Sequence, residues 1–312
     1  MSKPTFRAYI AWVAICIIWG TTYLAIRIGV ADLPPMLFAG FRWITASIIL
    51  IFVLRLTGKQ LPKKSDLIHL AIVGIALLGF GNGLVVTAEQ SLPSGLTALL
   101  ITTLPFWMVG FESLRKKGPK LNHLIVIGLI FGLAGVITIF GVDLSSWLST
   151  KNIFGVLALM GSEIAWALGS IYSKYHKVSV HPLMGAAVQM LIAGLAQTAL
   201  GTVLGEFSWF HLTQNGILAM VYLIVVGAIF GYASYIYAIS ELPLSFVSTY
   251  AYINPIIALI LGWYILNEEL SINLLFAVIL IFSGVILVRK GSFLAQQRMK
   301  KPATTNEIIQ RQ

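Results

Sequence analysis

Hydrophobic residues run along this chain in long blocks, and polar residues collect in the short gaps between them. A helix needs about 20 predominantly apolar residues to cross the roughly 30 Å hydrocarbon core of a bilayer. Ten blocks meet that requirement, at about 8–27, 35–54, 67–88, 95–114, 122–141, 153–173, 182–204, 214–239, 246–267 and 271–288. The gaps carry turn formers or charge, as in Asp32-Leu33-Pro34-Pro35, Lys59 to Lys64 and Arg115 to Lys120. The blocks are apolar on every face and lack the alternation of a membrane strand. The pattern therefore predicts an all-α polytopic membrane protein of ten transmembrane helices. The first block has no small-residue cleavage pattern at its end and nine others follow, so it is expected to be a retained span.

Composition agrees. The 312 residues are 58% hydrophobic and 10% charged, where a soluble domain carries roughly 25% charged residues. The single cysteine, Cys16, lies inside the first block, so neither a disulfide framework nor a thiolate metal pair is expected. No metal and no cofactor are implied. A net charge of +10 raises the question of nucleic acid, and the positions of the basic residues answer it. With the N-terminus inside, all 21 Lys and Arg except Arg27, Arg42 and Lys151 fall on the inner segments. That is the positive-inside bias, which puts both termini in the cytoplasm and leaves no nucleic-acid footprint. Asp32, Glu89, Asp143, Glu206, Glu268 and Glu269 lean to the outer side.

The chain also repeats itself. Leu92-Pro93 and Pro105 recur as Leu242-Pro243 and Pro255, an offset of 150, and Phe80-Gly81 recurs as Phe230-Gly231. Trp19-Gly20 and the residues after it pair with Trp166-Ala167 at an offset of 147. Two halves of five spans follow, at 1–145 and 146–290, with 291–312 as a polar cytoplasmic tail expected to be disordered. Five is odd, so the second half is inverted relative to the first. Inverted repeats are the architecture of alternating-access carriers, with a site near the midplane.

Particular residues carry a resemblance as well. Ile17-Ile18-Trp19-Gly20-Thr21-Thr22-Tyr23 with Arg27-Ile28-Gly29-Val30 resembles the EamA-type branch of the drug/metabolite transporter superfamily. So do Gly81-Asn82-Gly83, Pro93-Ser94-Gly95, Ser248 to Pro255 and Glu269-Leu270-Ser271. Within that branch the likeness is to the YedA-like group of bacterial inner-membrane permeases, and it spans residues 8–288. It implies a multi-pass carrier of the bacterial inner membrane that exports amino acids, related metabolites or amphipathic drugs.

Ionisable groups inside a membrane are costly, so each is a candidate for function. Glu163 falls near the middle of the sixth span, on one helical stripe with Trp166 and Ser170. It reads as a carboxylate that binds a substrate amine or takes up a proton, or as a protonated group bonded between helices. Arg42, a third of the way into its span, reads chiefly as structural, snorkelling or bonding helix-end carbonyls. Glu112 suggests an interfacial ion pair with Arg115 and Lys116, and Glu89 a part of the outer mouth. Trp147, Trp209 and Trp263 fall where an interfacial belt belongs. Trp19, Trp107 and Trp166 fall deeper, with Tyr23 one turn from Trp19 and Tyr250 one turn from Asn254. They are either packing residues or, with Asn82, the lining of a cavity for an apolar or aromatic substrate. Gly20, Gly81, Pro105, Gly169 and Pro255 are candidate hinges or kinks, and Gly128, Gly132 and Gly135 a close-packing face.

The pattern thus favours a secondary carrier with a small-molecule substrate, the lipid bilayer as its medium and protons as a candidate coupling ion, working as a monomer or weak homodimer. The alternatives are an intramembrane enzyme and a membrane sensor. The first lacks HExxH, GxSxG or paired carboxylates, and the second lacks a soluble domain.

Overall fold

The fold is taken from a computed structural model that describes residues 6–92, 97, 100–116, 118–140, 153–266 and 272–300. Pro93-Ser94-Gly95, Asp143, Trp147, Lys151, the Glu268 to Ser271 motif, residues 301–312 and the side chain of Trp263 lie outside the described residues. In chain order the helices are α1 (Phe6–Asp32), α2 (Pro35–Leu56), α3 (Lys64–Ala88), α4 (Leu104–Ser113) and α5 (His123–Phe140). They continue with α6 (Ile153–Tyr175), α7 (Pro182–Val203), α8 (Gln214–Glu241), α9 (Tyr250–Leu266) and α10 (Ile272–Lys300). No strand occurs among the described residues. Among the described residues, seven helices are long and apolar enough to cross a membrane: α1, α2, α3, α6, α7, α8 and the Phe276–Gln297 stretch of α10. Their outward faces expose Ile48, Phe52, Phe80, Leu157 and Phe230, each near 60%. Surface of that kind belongs against lipid.

Three boundaries differ from the sequence pattern, each for a physical reason. The fourth helix is described from Leu104, after a turn at Thr102-Thr103. Pro105 therefore sits in a first turn, where its missing N–H is not needed, rather than at an interior kink. Before α9 the chain makes one short helix, Leu244–Val247, and turns at Ser248-Thr249. The hydroxyls of Ser248 and Thr249 bond the carbonyls of Ser245 and Phe246 at 3.2 and 2.7 Å, closing off the broken end. Pro255 lies inside α9, as its position implies. Finally, α10 continues to Lys300, so residues 291–300 are helical rather than a disordered tail. Ala295, Gln296, Gln297 and Arg298 are good helix formers, and Ser292 is buried against Ser245 at 2.6 Å.

Helices α3 and α8 each widen into a π-helix in mid-course, at Ile75–Asn82 and Leu223–Tyr232. The bundle is built around two antiparallel pairs, α2 with α7 and α5 with α10. Each pair closes on glycine. A Cβ on Gly194 would stand 2.9 Å from the carbonyl oxygen of Gly40, and one on Gly128 would stand 2.7 Å from that of Gly284. In lipid the hydrophobic effect does not draw helices together, so association rests on close backbone packing of this sort.

The Gly128 contact is with backbone, which cannot step aside. Gly128→Ala should cost about 1–3 kcal/mol by overpacking, read as a lower thermal midpoint of the detergent-purified protein. Gly110→Ala, where a Cβ meets open space, should leave the midpoint unchanged or raise it.

Candidate functional site

The two π-helical stretches bring the middle of the bundle together. Widening the helix loosens its backbone ladder, and side chains of other helices take up the carbonyls. Trp19 Nε1 donates to the carbonyl of Gly227 at 3.3 Å, Ser162 Oγ to that of Gly81 at 2.7 Å, and Gln197 Nε2 to that of Leu78 at 2.9 Å. Glycine lets the rings approach. A Cβ on Gly231 would meet Trp19 Nε1 at 2.6 Å, and one on Gly81 would meet the Trp166 ring at 2.9 Å. Each tryptophan thus lies on the π stretch of the opposite half.

These contacts surround a small central cavity of about 80 Å³. Its walls include Trp19, Tyr23, Asn82, Trp166 and Tyr250, together with Arg42, Trp43, Ser162 and Glu163. At roughly 10–15 Å³ per water the cavity holds a handful of waters. Trp19 meets Trp166 edge-on at 5.4 Å between ring centres and meets Tyr250 at 5.0 Å. Tyr235 lies behind both indoles: its hydroxyl accepts from Trp166 Nε1 at 2.9 Å and pairs with Ser170 Oγ at 2.6 Å.

Two charged side chains face this space. Glu163 is 3% exposed, and its Oε2 has no hydrogen-bond partner. Arg42 is 2% exposed and does not snorkel outward. Its Nη2 donates to Asn82 Oδ1, which also accepts from Trp43 Nε1 at 3.3 Å, while its Nε is unpartnered. The guanidinium lies 4.6 Å from the Trp43 ring centre, a cation–π contact. An unpartnered polar atom in such a place is expensive.

The other sequence candidates fall around or away from the cavity. Asn254 is buried behind Tyr23; with its amide nitrogen turned to the carbonyls of Cys16 and Tyr250 it reaches both at 3.0 Å. Trp107 does not line the cavity: it stacks on Phe111 at 5.8 Å. Helices α1 and α6 run unbroken through Gly20 and Gly169, which sit at crossings with Ile257 and Ala76. Glu112 is buried and accepts from the Tyr175 hydroxyl at 2.8 Å, with Arg115 stacked over that ring in place of an ion pair. Among the described residues no group of His, Cys, Asp and Glu could hold a metal.

Sequence reasoning passed over Tyr235 and Ser162. Ser162 was legible, one turn before Trp166 on the stripe that holds Glu163. Tyr235 was not, because nothing local marks a tyrosine in an apolar span as the partner of an indole on another helix. Tyr235→Phe leaves Trp166 Nε1 buried without an acceptor, at a cost of about 1–3 kcal/mol. The expected readout is a lower thermal midpoint together with a shift in tryptophan emission.

Comparison with known proteins places this geometry. The model of the EamA-like transporter family matches twice, over residues 6–141 and 153–290. YedA of Escherichia coli strain K12, named as an inner membrane transporter, is 36% identical over 293 residues, covering 93% of this chain and 92% of its own. YoaV of Bacillus subtilis, named as a transporter, is 25% identical and covers 88% and 94%, and protein PecM of Dickeya dadantii is 25% identical and covers 96% and 97%. A crystal structure shares the fold with a TM-score of 0.76 over 94% of this chain and 100% of that one, at 21% identity. With its apolar membrane-length helices and a family match over nearly its whole length, the chain belongs to the EamA-like transporters, as a multi-pass inner-membrane protein.

Proposed function

We propose that this protein is a secondary-active exporter of small organic solutes, foremost amino acids with apolar or aromatic side chains, working by alternating access. The observation that carries the reading is the pairing of an unmet carboxylate oxygen on Glu163 with an unmet guanidinium nitrogen on Arg42 at one aromatic cavity. Glu163 would take the substrate amine and Arg42 its carboxylate, while Trp19, Trp166 and Tyr250 would flank the side chain. Related metabolites and amphipathic amines share enough of this chemistry to compete. In an empty cycle Glu163 would carry the proton instead, which makes it the coupling group.

The architecture we propose has ten spans in two inverted halves, 1–145 and 146–290, with both termini cytoplasmic. Several observations support it. The family model matches each half. The π stretches end at corresponding positions, Ile75–Asn82 and Leu223–Tyr232 finishing 150 residues apart. Neighbours exchange in pairs: α1 packs on α8 and α9, and α6 packs on α3 and α4. The counterpart helices α2 and α7 pack antiparallel, as do α5 and α10. A two-fold axis along the helices would make counterparts parallel, whereas one lying in the membrane plane makes them antiparallel. Gly81, in the π stretch of α3, and Pro255, inside α9, are then the places where the halves would pivot, and a monomer or weak homodimer suffices.

Purified protein in liposomes should exchange labelled phenylalanine or leucine in counterflow; no movement of any labelled amino acid, amine or lipophilic cation would overturn the reading. Glu163→Gln should lower that flux at least about tenfold, the scale of a lost charge-assisted contact, and should flatten its dependence on pH. Separately, a reporter fused after Gln312 should be active in the cytoplasm, and periplasmic activity would reverse the orientation.

A further inference from the structure

Two ties of the same form join helices around the central cavity. Arg27, in the sixth turn of α1, donates through Nη1 to the carbonyl of Glu89 at the end of α3. Lys174, at the end of α6, donates through Nζ to the carbonyl of Ile239 at 2.7 Å and to that of Leu242, at the end of α8. The cations are 147 residues apart and the acceptors Glu89 and Ile239 are 150 apart, the two offsets of the repeat. Helix C-termini carry unpaired carbonyls and partial negative charge, so a cation there ties two helices at little cost. Because the halves run in opposite senses, one tie lies at each end of the bundle. Acidic groups flank both: Glu89, which is fully buried, stands near Arg27, and Glu112 and Glu241 stand near Lys174.

What lies on either side of the Lys174 tie gives it meaning. It forms part of the wall of a vestibule of about 540 Å³ shared with His69, Tyr175, Gln189 and Ile236. Tyr232 connects the two walls: its hydroxyl donates to Gln189 of the vestibule at 2.8 Å, and its ring meets Trp43 of the central cavity at 5.9 Å. Parting the ends of α6 and α8 is the motion that would join the two spaces. The same motion on α1 and α3 would open the outer face.

Resting on alternating access as proposed above, we infer that Arg27 and Lys174 are repeat-related latches, each holding one face of the transporter shut and released in turn. Both ties are made in this structure. The cationic residue is the working part, since in each half it is the group that crosses from the first helix to the third.

The test reads access to the cavity directly. Val85 lines the cavity, so Val85→Cys in a Cys16→Ala background supplies one reporter thiol. It is labelled with a charged, membrane-impermeant methanethiosulfonate in inside-out vesicles and in spheroplasts. Adding Lys174→Ala should raise labelling from the cytoplasmic face about tenfold, equivalent to ~1.4 kcal/mol of population shift, and leave the other face unchanged. Arg27→Ala should do the converse, and Lys174→Arg and Arg27→Lys should restore the parent rates. Should an alanine variant not be monodisperse in detergent, Lys174→Met or Arg27→Met keeps the stem packing and gives the same readout. Both variants opening one face, either opening both faces, or neither changing the rate overturns the latches. Faces exchanged between the two variants overturn the assigned orientation and leave the latches standing. Absence of amino acid counterflow with the one-face pattern intact overturns the substrate reading alone.

Discussion

A peptide carbonyl in a bilayer has no water to turn to, and this bundle is arranged around the carbonyls that its own helices leave loose. The π stretches of α3 and α8 are the places where the backbone ladder loosens, and they face the middle of the protein. Donors must then come from elsewhere in the bundle: Trp19 for Gly227, Ser162 for Gly81, Gln197 for Leu78. That requirement brings indoles and small polar groups to the centre of an otherwise apolar structure. The central cavity is what remains between them. The outer crossings answer the same constraint differently, with glycine on α2, α5, α7 and α10 bringing intact helices into contact.

Each half supplies part of the satisfaction of the other. Trp19 of the first half lies on Gly231, and Trp166 of the second lies on Gly81, while the two rings meet edge-on at 5.4 Å. The rocking motion proposed above would slide these rings across the glycines. Flat aromatic surfaces over bare backbone can shift in small steps without unlocking interdigitated side chains, whereas the Gly128 crossing, backbone against backbone, cannot. Under that proposal movement is concentrated at the centre, and the paired helices α2 with α7 and α5 with α10 act as the frame.

Much of this was legible in the chain. Apolar block length marked most of the helices, because crossing a bilayer fixes length more strictly than packing a soluble core does. Trp19, Trp166 and Glu163 stood out because an indole or a carboxylate far from an interface is anomalous in any apolar span. Other features stayed hidden. The break at Ser248-Thr249 depends on which carbonyls find hydroxyl partners, and hydropathy averages over that. The continuation of α10 to Lys300 was masked by reading polarity as disorder, although helix propensity and the contact of Ser292 with Ser245 favour the helix. Depth alone groups Trp107 with Trp19 and Trp166 as packing or cavity residues, and depth does not say which way a helix face turns.

The repeat gives a further step. At the offset that pairs Trp19 with Trp166, Glu163 corresponds to Cys16, Ser162 to Ile15 and Ser170 to Tyr23. The structural parts of the centre, the tryptophans and the glycines beneath them, are kept in both halves. The groups able to hold a polar ligand are not. A symmetric cavity with a carboxylate from each half would bring two negative charges into a water-poor space, and neither would have a partner. Replacing one with the buried thiol of Cys16 leaves a single carboxylate, and the opposite charge comes from Arg42 on α2. Under the proposed mechanism the repeat accounts for the motion, and the differences at positions 15, 16 and 23 account for a cavity with a single carboxylate. A substrate bound as proposed would then have one orientation relative to the membrane, although the scaffold that carries it is two-fold.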